Sequence, residues 1–397
     1  MTGSEPVVSH SLSAVYCLLS ACCCRETIGR ERIITAVVLH LSPGENTTIH
    51  NTSMLDKDNL IQEIDSDNIR DTIADLPQQL GQEFDVPVRV EPANLTAVVI
   101  AGMGGSVLAG EMLRTWLADQ LPIPIILVRG YELPAFVDHN TLVICSSYSG
   151  NTEETLGLYE QAGQRQAPRV VIASGGQLHQ TAVRSGTPVY QLPTGYQPRM
   201  VAWYGLRALA ELMEGLGLAG GAVAELEEAA RFLAGLGNEW GPETPTGENR
   251  AKQIAEECAG KAVWIYSGPA LNSAARKLKI DINENAKHVA SWNELPEFNH
   301  NEFLGWTEHP RQKPFTVIQL QSALDGGRIQ KRFEVTNRLL SGRMPAPVVV
   351  ESRGDSHIQH LLWACLLGDY VSLYLAVLNN VNPGRVEAIE QLKRELD

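Results

Sequence analysis

The chain has 397 residues and a mass of 43.4 kDa, about twice the size of a typical domain, so its length predicts two globular domains. Apolar residues make up 44% and charged residues 20%, a balance that excludes a wholly disordered, collagen-like or coiled-coil protein. The 46 acidic residues outnumber the 32 lysines and arginines and give a net charge of −14, which argues against a general affinity for nucleic acid or an anionic membrane.

The N-terminal segment, residues 1–53, lacks the regular patterns of the rest of the chain. Its apolar run at 12–24 has no lysine or arginine before it, so it lacks the basic region of an export signal. A second methionine, Met54, opens a regular amphipathic segment. We therefore expect residues 1–53 to be an extension that is disordered or not part of the fold.

The seven cysteines are unevenly placed. Four of them crowd into residues 17–24, where the spaced pairs and histidines of a zinc site are missing. The other three, Cys145, Cys258 and Cys365, are single and far apart, unlike a disulfide framework. This distribution predicts buried thiols in a reducing cytoplasm.

From about residue 97 onward, short apolar runs alternate with helical patterns. The runs predict strands at 97–100, 123–128, 141–145, 169–173 and 188–192, and in the second half at 262–266, 315–320 and 347–351. Continuous apolar strands separated by helices indicate parallel sheets covered on both faces. The predicted fold is α/β, with two doubly wound, three-layer αβα domains at 54–235 and 236–397. An apolar helix at 361–378 is predicted to be buried at a domain or subunit contact.

The first candidate site is the loop at 102–106, Gly-Met-Gly-Gly-Ser, between a predicted strand and a predicted helix. Free N–H groups and the positive helix end favour an anion there, and glycines let the backbone approach it closely. The loop lacks the third glycine and the acidic partner of a dinucleotide-binding fingerprint, and it lacks the Gly-Lys-Ser/Thr of a P-loop. Taken alone, it is better explained as a tight turn between strand and helix.

The second candidate site is the hydroxyl-rich loop that follows the strand at 141–145. Ser147, Ser149 and Thr152 lie at the start of a predicted helix, where hydroxyl and N–H groups donate to a phosphate and the helix dipole adds complementary charge. Helix capping by Ser149 or Thr152 explains part of this pattern but not the number of hydroxyls. We therefore favour a phosphate cradle over a simple helix cap.

Both loops resemble the phosphate-side loops of sugar isomerase (SIS) domains. Over a longer stretch, the chain resembles the bifunctional phosphoglucose/phosphomannose isomerase family. This resemblance extends in order from about residue 54 to the end. The segments that narrow it to this family are 197–199 (Gln-Pro-Arg), 283–287 (Asn-Glu-Asn-Ala-Lys), 298–302 (Phe-Asn-His-Asn-Glu), 368–369 (Gly-Asp), Pro383 and 389–393 (Ile-Glu-Gln-Leu-Lys). The resemblance implies two SIS-type domains and an isomerase that needs neither a metal nor another cofactor.

The resemblance also implies a reaction, the interconversion of glucose 6-phosphate, and of mannose 6-phosphate, with fructose 6-phosphate through a cis-enediol. A carboxylate beside a cation can move the proton between C1 and C2 without a metal. By resemblance, Glu284 is this base, His300 assists ring opening and Arg199 stabilises the enediolate. Lys393 acts at the ring oxygen. The phosphate is then held by residues of the two loops, which are Gly105, Ser106, Ser147, Ser149 and Thr152.

The implied partners follow from the same family. The equivalent of His300 comes from the neighbouring subunit in this family, which implies a homodimer with shared sites. The implied ligands are small sugar phosphates, and neither nucleic acid nor a membrane is expected as a partner.

Periodicity alone gives the predicted site residues less specific explanations. Glu284 shares a helix face with Lys277 and Asp281, opposite an apolar stripe, which is typical of a solvated surface acid. His300 lies in a polar loop, and Lys393 near the C-terminus would otherwise be a mobile surface charge.

Arg199 supports the family resemblance independently of the motifs, whereas Val386 departs from the family pattern. Arg199 starts an apolar helix, where a cation opposes the helix dipole, and this mismatch indicates a bound anion nearby. Members of the family carry a small hydroxyl residue a few positions before the C-terminal lysine, where this chain has a run that ends in Val386. The resemblance therefore implies phosphoglucose isomerase activity more strongly than phosphomannose isomerase activity.

The alternative function is that of a non-catalytic SIS protein that senses sugar phosphates. Such regulators usually carry a helix-turn-helix segment, which residues 1–53 do not resemble.

Overall fold

The computed structural model describes residues 53–84, 86–87, 94–236, 238–308 and 312–396. The predicted extension at 1–53, with its four cysteines, therefore lies outside the described residues apart from Ser53. Residues Thr52–Asp397 form one compact unit. Within it the three isolated cysteines are free and buried, as predicted, at Cys145, Cys258 and Cys365.

The first half of this unit contains a sheet of five parallel strands. In chain order they are β1 (Ala97–Gly102), β2 (Ile125–Val128), β3 (Thr141–Ser146), β4 (Arg169–Ala173) and β5 (Val189–Gln191). They lie side by side in the order β2-β1-β3-β4-β5, and each neighbouring pair is parallel. The two central strands, β1 and β3, are buried at every position, which explains their continuous apolar runs. The five predicted strands are confirmed.

The second half contains a sheet of four parallel strands. They are β6 (Ala262–Ser267), β7 (Ala290–Glu294), β8 (Phe315–Gln321) and β9 (Val348–Glu351), in the order β7-β6-β8-β9. Three of these strands are confirmed predictions, but the prediction missed β7. This strand lies at the edge of the sheet, is polar and is mostly only half-buried, so it lacks the continuous apolar run that marks the others.

Helices cover both faces of the sheets. Those of the first half are α1 (Asp58–Ile64), α2 (Ile69–Gln79), α3 (Gly105–Trp116), α4 (Glu153–Gln164), α5 (Gly176–Arg184), α6 (Ala202–Gly215) and α7 (Ala222–Ala234). Those of the second half are α8 (Arg250–Cys258), α9 (Asn272–Glu284), α10 (Glu302–Glu308), α11 (Gly327–Leu339), α12 (His357–Leu378) and α13 (Glu387–Leu396). Alternate residues of β1 face two separate apolar clusters, with Val98 and Ile100 in one and Val99 and Ala101 in the other. The predicted three-layer α/β fold is confirmed.

The long helix α12 lies in the middle of the molecule. It packs against helices of both halves, including α2, α7, α8 and α9, and its predicted burial is confirmed. Of the helices in the described residues, α12 alone has the length and hydropathy to cross a membrane, and 94% of its most apolar window is buried inside the protein. One apolar core extends from β1 through α12 to β6, so a domain boundary near residue 235 stays a prediction.

Candidate active site

The two predicted phosphate loops meet at one edge of the first sheet. The strand order reverses between β1 and β3, so the loops after these strands open into the crevice where α/β proteins bind ligands. Gly102 pairs with Ser146 at the ends of the two strands and sets the loops side by side. The backbone N–H of Tyr148 donates to Ser106 Oγ at 3.1 Å, which links one loop to the other.

The side chains of the hydroxyl-rich loop organise it from within. Ser147 Oγ lies 2.8 Å from Thr152 Oγ1 and accepts the backbone N–H of Gly150 at 3.1 Å. Thr152 directly precedes α4 but its side chain does not cap this helix, and Gly104, which precedes α3, has no side chain to offer. Neither helix is therefore capped by the side chain of its N-cap residue, an arrangement that is compatible with a phosphate at these two helix starts. Ser149 is exposed in the same loop.

Gly105 brings the first loop into contact with the segment that carries Arg199. A Cβ atom at position 105 would lie 2.7 Å from the Pro198 carbonyl oxygen and 2.8 Å from Arg199 Cα, closer than real Cβ contacts. Arg199 lies in the short 3-10 helix Pro198–Val201, which leads into α6. The phosphate loop and the predicted cation therefore touch through their backbones.

Arg199 is the buried cation of this site. Its side chain is 1% exposed and has three partners: NH1 donates to Glu284 Oε2 at 3.2 Å, Nε to Asn285 Oδ1 at 2.5 Å, and NH2 to the Pro383 carbonyl at 2.7 Å. It thereby joins the first half of the chain to the end of α9 and to the C-terminal segment. The Glu284 carboxylate is an anion of the chain itself beside Arg199, and a bound anion at this helix start stays a prediction.

Glu284 ends α9 and remains partly accessible, with 25% of its side chain exposed. Burial raises the pKa of Glu284 above its usual range, and the attraction of Arg199 offsets only part of this effect. Burial also lowers the pKa of Arg199, and Glu284 offsets part of that shift. A carboxylate with a raised pKa can accept a proton from a substrate, and the cation beside it can stabilise the anion that this transfer leaves on the substrate.

The prediction that this face of α9 is solvated is wrong for most of its length. Lys277 and Asp281 share the face with Glu284, and they are only 1% and 0% exposed. Lys277 Nζ donates to Asp281 Oδ2 at 2.7 Å and also to Asp369 on α12. Periodicity reports the polarity of a helix face, and here that polar face packs against polar groups of α12 instead of water.

The side chains of two predicted site residues form no hydrogen bond or ion pair with any described residue. His300 is exposed at the end of the 3-10 helix Glu297–His300, which follows β7. Lys393 is exposed on α13, a helix without a buried residue. Val386, which lies shortly before α13, is half-buried. The roles of His300, Lys393 and Val386 stay predictions.

Asn285 and Lys287 belong to the site although the sequence analysis gave them no role. Lys287 Nζ donates to the Asn382 carbonyl at 2.6 Å and to the Asn285 carbonyl at 3.3 Å. Burial, together with the charge of Arg199, lowers the pKa of Lys287 to about 8. Both residues lie in the segment 283–287 that carried the family resemblance, and this position is the one signal in the sequence that marks them.

At the corresponding edge of the second sheet, a carboxylate of the chain itself lies against the loop that follows β6. The strand order reverses there between β6 and β8. Asp325, which follows β8, accepts the backbone N–H of Ala270 at 3.0 Å, and a Cβ atom at Gly268 would overlap its carboxylate. The Asp325 carboxylate thus accepts from the 3-10 helix Pro269–Leu271, which precedes α9, whereas neither α3 nor α4 is capped by the side chain of its N-cap residue.

Comparison with known proteins agrees with this geometry. Residues 247–396 match the family model described as the bacterial phospho-glucose isomerase C-terminal SIS domain. The bifunctional phosphoglucose/phosphomannose isomerase of Caldicellulosiruptor bescii is 36% identical over 333 residues, which are 82% of this chain and 98% of that protein. The chain belongs to the bifunctional phosphoglucose/phosphomannose isomerase family. The family resemblance predicted from its motifs is confirmed, and the chain is an isomerase.

One relative with another name and one solved structure extend this comparison. The D-glucosamine-6-phosphate 4-epimerase of Sulfolobus acidocaldarius is 35% identical over 214 residues, 53% of this chain and 65% of that protein. A glucose-6-phosphate isomerase like protein from Thermus thermophilus shares the fold with a TM-score of 0.56 at 19% identity, over 84% of this chain and 98% of that one. At 19% identity, the comparison with this solved structure concerns the fold alone.

Gly105→Ala is expected to lower the kcat/KM of this isomerase by roughly 10- to 100-fold, because the new methyl group pushes the Arg199 backbone away from the phosphate loop. Steady-state kinetics measure this loss. Gly157→Ala on α4 is the matched control, since a Cβ atom there meets nothing within 4 Å and replaces a helical glycine. It is expected to keep full activity and to unfold at a slightly higher temperature. Equal activity in both variants would show that the close contact at Gly105 is not needed.

Proposed function

We propose that the chain is a metal-independent aldose–ketose isomerase that interconverts glucose 6-phosphate and fructose 6-phosphate through a cis-enediol, and that it also accepts mannose 6-phosphate. The contact of Gly105 with Arg199, which is paired with Glu284, carries this proposal. A hexose 6-phosphate has its phosphate at one end and its reacting carbons at the other. It therefore fits a crevice in which phosphate loops adjoin a base and a cation.

In the proposed reaction, Glu284 removes the proton from C2 of the open-chain aldose. The electrons of that C–H bond form the C1–C2 double bond, and the negative charge that develops on O1 is stabilised by Arg199. The proton of the C2 hydroxyl passes to O1, and the same carboxyl returns its proton to C1, which yields the ketose with no net gain or loss of protons or electrons. Return of the proton to the other face of C2 gives the mannose epimer.

The remaining predicted residues bind the substrate and open its ring. His300 transfers a proton during ring opening, and Lys393 balances charge at the ring oxygen. The phosphate is bound by hydroxyl and N–H groups of the two loops, from Gly105, Ser106, Ser147, Ser149 and Thr152. The position of Ser106 and Ser147 at the shared edge of β1 and β3 supports this assignment.

Conversion of fructose 6-phosphate to glucose 6-phosphate by the purified full-length chain in the presence of EDTA tests the proposal. The same assay with mannose 6-phosphate tests the second substrate. Glucosamine 6-phosphate, chosen because of the epimerase relative, is expected to remain unchanged at C4. A sensor would bind fructose 6-phosphate without converting it. That result, or activity that EDTA abolishes and a divalent metal restores, contradicts the proposal.

We also propose that the protein is a cytoplasmic homodimer in which His300 completes the site of the partner subunit. Exposed apolar side chains support this arrangement. Leu304 is 69% exposed close to His300, and α13 exposes the apolar residues Ile389, Leu392 and Leu396. Apolar groups at these positions are suited to a contact with a second copy of the chain.

Mixing two inactive variants tests the shared site. Glu284→Gln and His300→Ala subunits, unfolded and refolded together, are expected to recover about a quarter of the wild-type activity, because each mixed dimer then has one intact site. Glu284→Gln mixed with Arg199→Met is the control, since both residues belong to one chain's site and every site in the mixture is damaged. Failure of the first mixture to regain activity would show that His300 does not act across subunits.

A further inference from the structure

A buried polar seam runs between α9 and α12 beneath the cation of the site. It consists of Lys277 and Asp281 of α9, Asn285 at the end of that helix, and Asp369 and Ser372 of α12. All five are at most 1% exposed. The three on the α9 side are four residues apart and therefore share one helix face.

The seam is an unbroken series of hydrogen bonds that ends at Asn285. Lys277 Nζ donates to Asp281 Oδ2 at 2.7 Å and to Asp369 Oδ1. The Ser372 hydroxyl donates to the backbone carbonyl of Asp369 at 2.7 Å, and the Asn285 side-chain amide donates to the Ser372 hydroxyl oxygen at 2.8 Å. Because the amide group is held by Ser372, the side-chain oxygen of Asn285 must face the site.

Asn285 in turn fixes the plane of the Arg199 guanidinium. Nε donates to Asn285 Oδ1 at 2.5 Å, and NH2 donates to the Pro383 carbonyl at 2.7 Å. Both acceptors are neutral, so they orient the guanidinium without cancelling its charge. Among its hydrogen-bond partners in the described chain, only Glu284 carries a charge.

We propose that Asn285 is a positioning residue of the isomerisation, which aims Arg199 at the reacting oxygen and, as a neutral amide, leaves its positive charge available to the enediolate. This inference rests on the proposed function, since it assigns Arg199 to the enediolate. It explains why a neutral residue lies between a buried arginine and a seam that carries two aspartates.

Two substitutions separate orientation from charge. Asn285→Asp keeps the size of the side chain and an oxygen for Arg199 Nε, but it places a carboxylate against the guanidinium. The charge of Arg199 is then compensated, and the added negative charge raises the pKa of Glu284. Asn285→Ala removes the hydrogen bond that orients Arg199 and adds no charge.

The test compares kinetics and ligand binding in these variants. Asn285→Asp is expected to lower kcat for fructose 6-phosphate by roughly 10- to 100-fold. In the pH profile of kcat/KM, it is expected to shift the acidic limb, where activity falls at low pH, to a pH about one unit higher. Asn285→Ala is expected to lower kcat about 10-fold and to leave the limb in place. The Kd of 5-phospho-D-arabinonate, whose carboxylate imitates the enediolate, is expected to rise in parallel. The Kd of D-glucitol 6-phosphate, which lacks that charge, is expected to change little.

Asn283 provides matched controls two residues away. Its side-chain amide donates to the His288 carbonyl at 2.8 Å and forms no hydrogen bond with the site. Asn283→Asp and Asn283→Ala are expected to keep kcat, the acidic limb and both Kd values close to those of the wild type. If the wild type is active and the Asn285 variants have the same kcat, acidic limb and Kd values as the Asn283 variants, the proposal that Asn285 positions Arg199 is wrong.

Two further measurements keep the inference testable. If the wild type converts neither sugar phosphate, the proposed function fails, but the ratio of the two Kd values still reports whether Asn285 orients Arg199. If thermal unfolding shows that the Asn285 variants do not fold, Ser372→Ala replaces them, because it releases the Asn285 amide with a smaller change. It is expected to lower kcat several-fold and to weaken arabinonate binding selectively, and wild-type values would overturn the proposal.

Discussion

Glu284→Gln is expected to lower kcat for the conversion of fructose 6-phosphate to glucose 6-phosphate by roughly 1,000-fold, as loss of a general base does. The amide is as large as the carboxylate and still accepts from Arg199 NH1, which lies 3.2 Å from Glu284 Oε2, but it cannot take a proton from carbon. KM and the Kd of D-glucitol 6-phosphate are expected to change less than about threefold, because the phosphate loops are intact. Steady-state kinetics and calorimetry measure both quantities.

Glu211→Gln is the matched control for this loss. Glu211 Oε1 accepts from Arg207 Nε at 2.7 Å, and the two side chains are 15% and 4% exposed, so this ion pair on α6 is buried much as the pair in the site is. Its neutralisation is expected to leave kcat unchanged. If the Glu284 and Glu211 variants were equally active, Glu284 would not be the base.

The pH profile gives a second test of the same residue. The kcat/KM of the wild type is expected to fall on the acidic side as Glu284 takes up a proton and can no longer act as a base. Burial raises the pKa of Glu284, so this limb should lie above the pH at which an exposed glutamate titrates. The residual activity of Glu284→Gln should lack the limb. A limb that persists in this variant belongs to another group.

Lys277→Met is expected to lower the free energy of unfolding at pH 8 by about 3–5 kcal/mol, because it leaves buried carboxylates without their cation. Asp281 and Asp369 are fully buried, and one oxygen of each has no hydrogen-bond partner in the described chain. Chemical denaturation measures the loss. Lys331→Met, which removes an exposed lysine paired with Glu334, is the control and is expected to leave the stability unchanged.

The loss of stability in Lys277→Met should depend on pH. Burial raises the pKa of Asp369 to about 7 even with Lys277 present, and removal of that cation raises it further. A carboxyl whose pKa is higher in the folded than in the unfolded chain destabilises the fold above its unfolded pKa, and this penalty shrinks as the pH falls toward about 4. The difference in the free energy of unfolding between Lys277→Met and the wild type should therefore become smaller from pH 8 to pH 5. A constant difference would indicate lost packing alone.

Most of the fold could be predicted because its strands are buried on both faces. β1 and β3 are apolar at nearly every position, and such runs are visible in the sequence without knowledge of their neighbours. β7 was missed because an edge strand needs fewer apolar residues, so its pattern is not distinctive. The same reasoning placed the two predicted phosphate loops between a strand and a helix, and the structure confirms these positions in the chain.

The site could be predicted only in part. The motifs singled out Arg199 and Glu284, which the structure brings to 3.2 Å, but they gave no role to Asn285, the residue that holds the guanidinium. Within the described chain, no side-chain hydrogen bond or ion pair links His300 or Lys393 to Arg199 or Glu284. Periodicity also placed Lys277 in water, although it is buried against α12.

By itself, the sequence determined eight of the nine described strands, the two loops and the family resemblance, because these depend on short-range pattern and residue type. Only the tertiary structure decided that Arg199 meets Glu284 and Pro383, which lie 85 residues and 184 residues away in the chain. It also decided that the polar face of α9 packs against Asp369 and Ser372. The sequence pattern indicates which face of a helix is polar. Whether the side chains of that face are buried, and whether their charges are compensated, depends on what is packed against it.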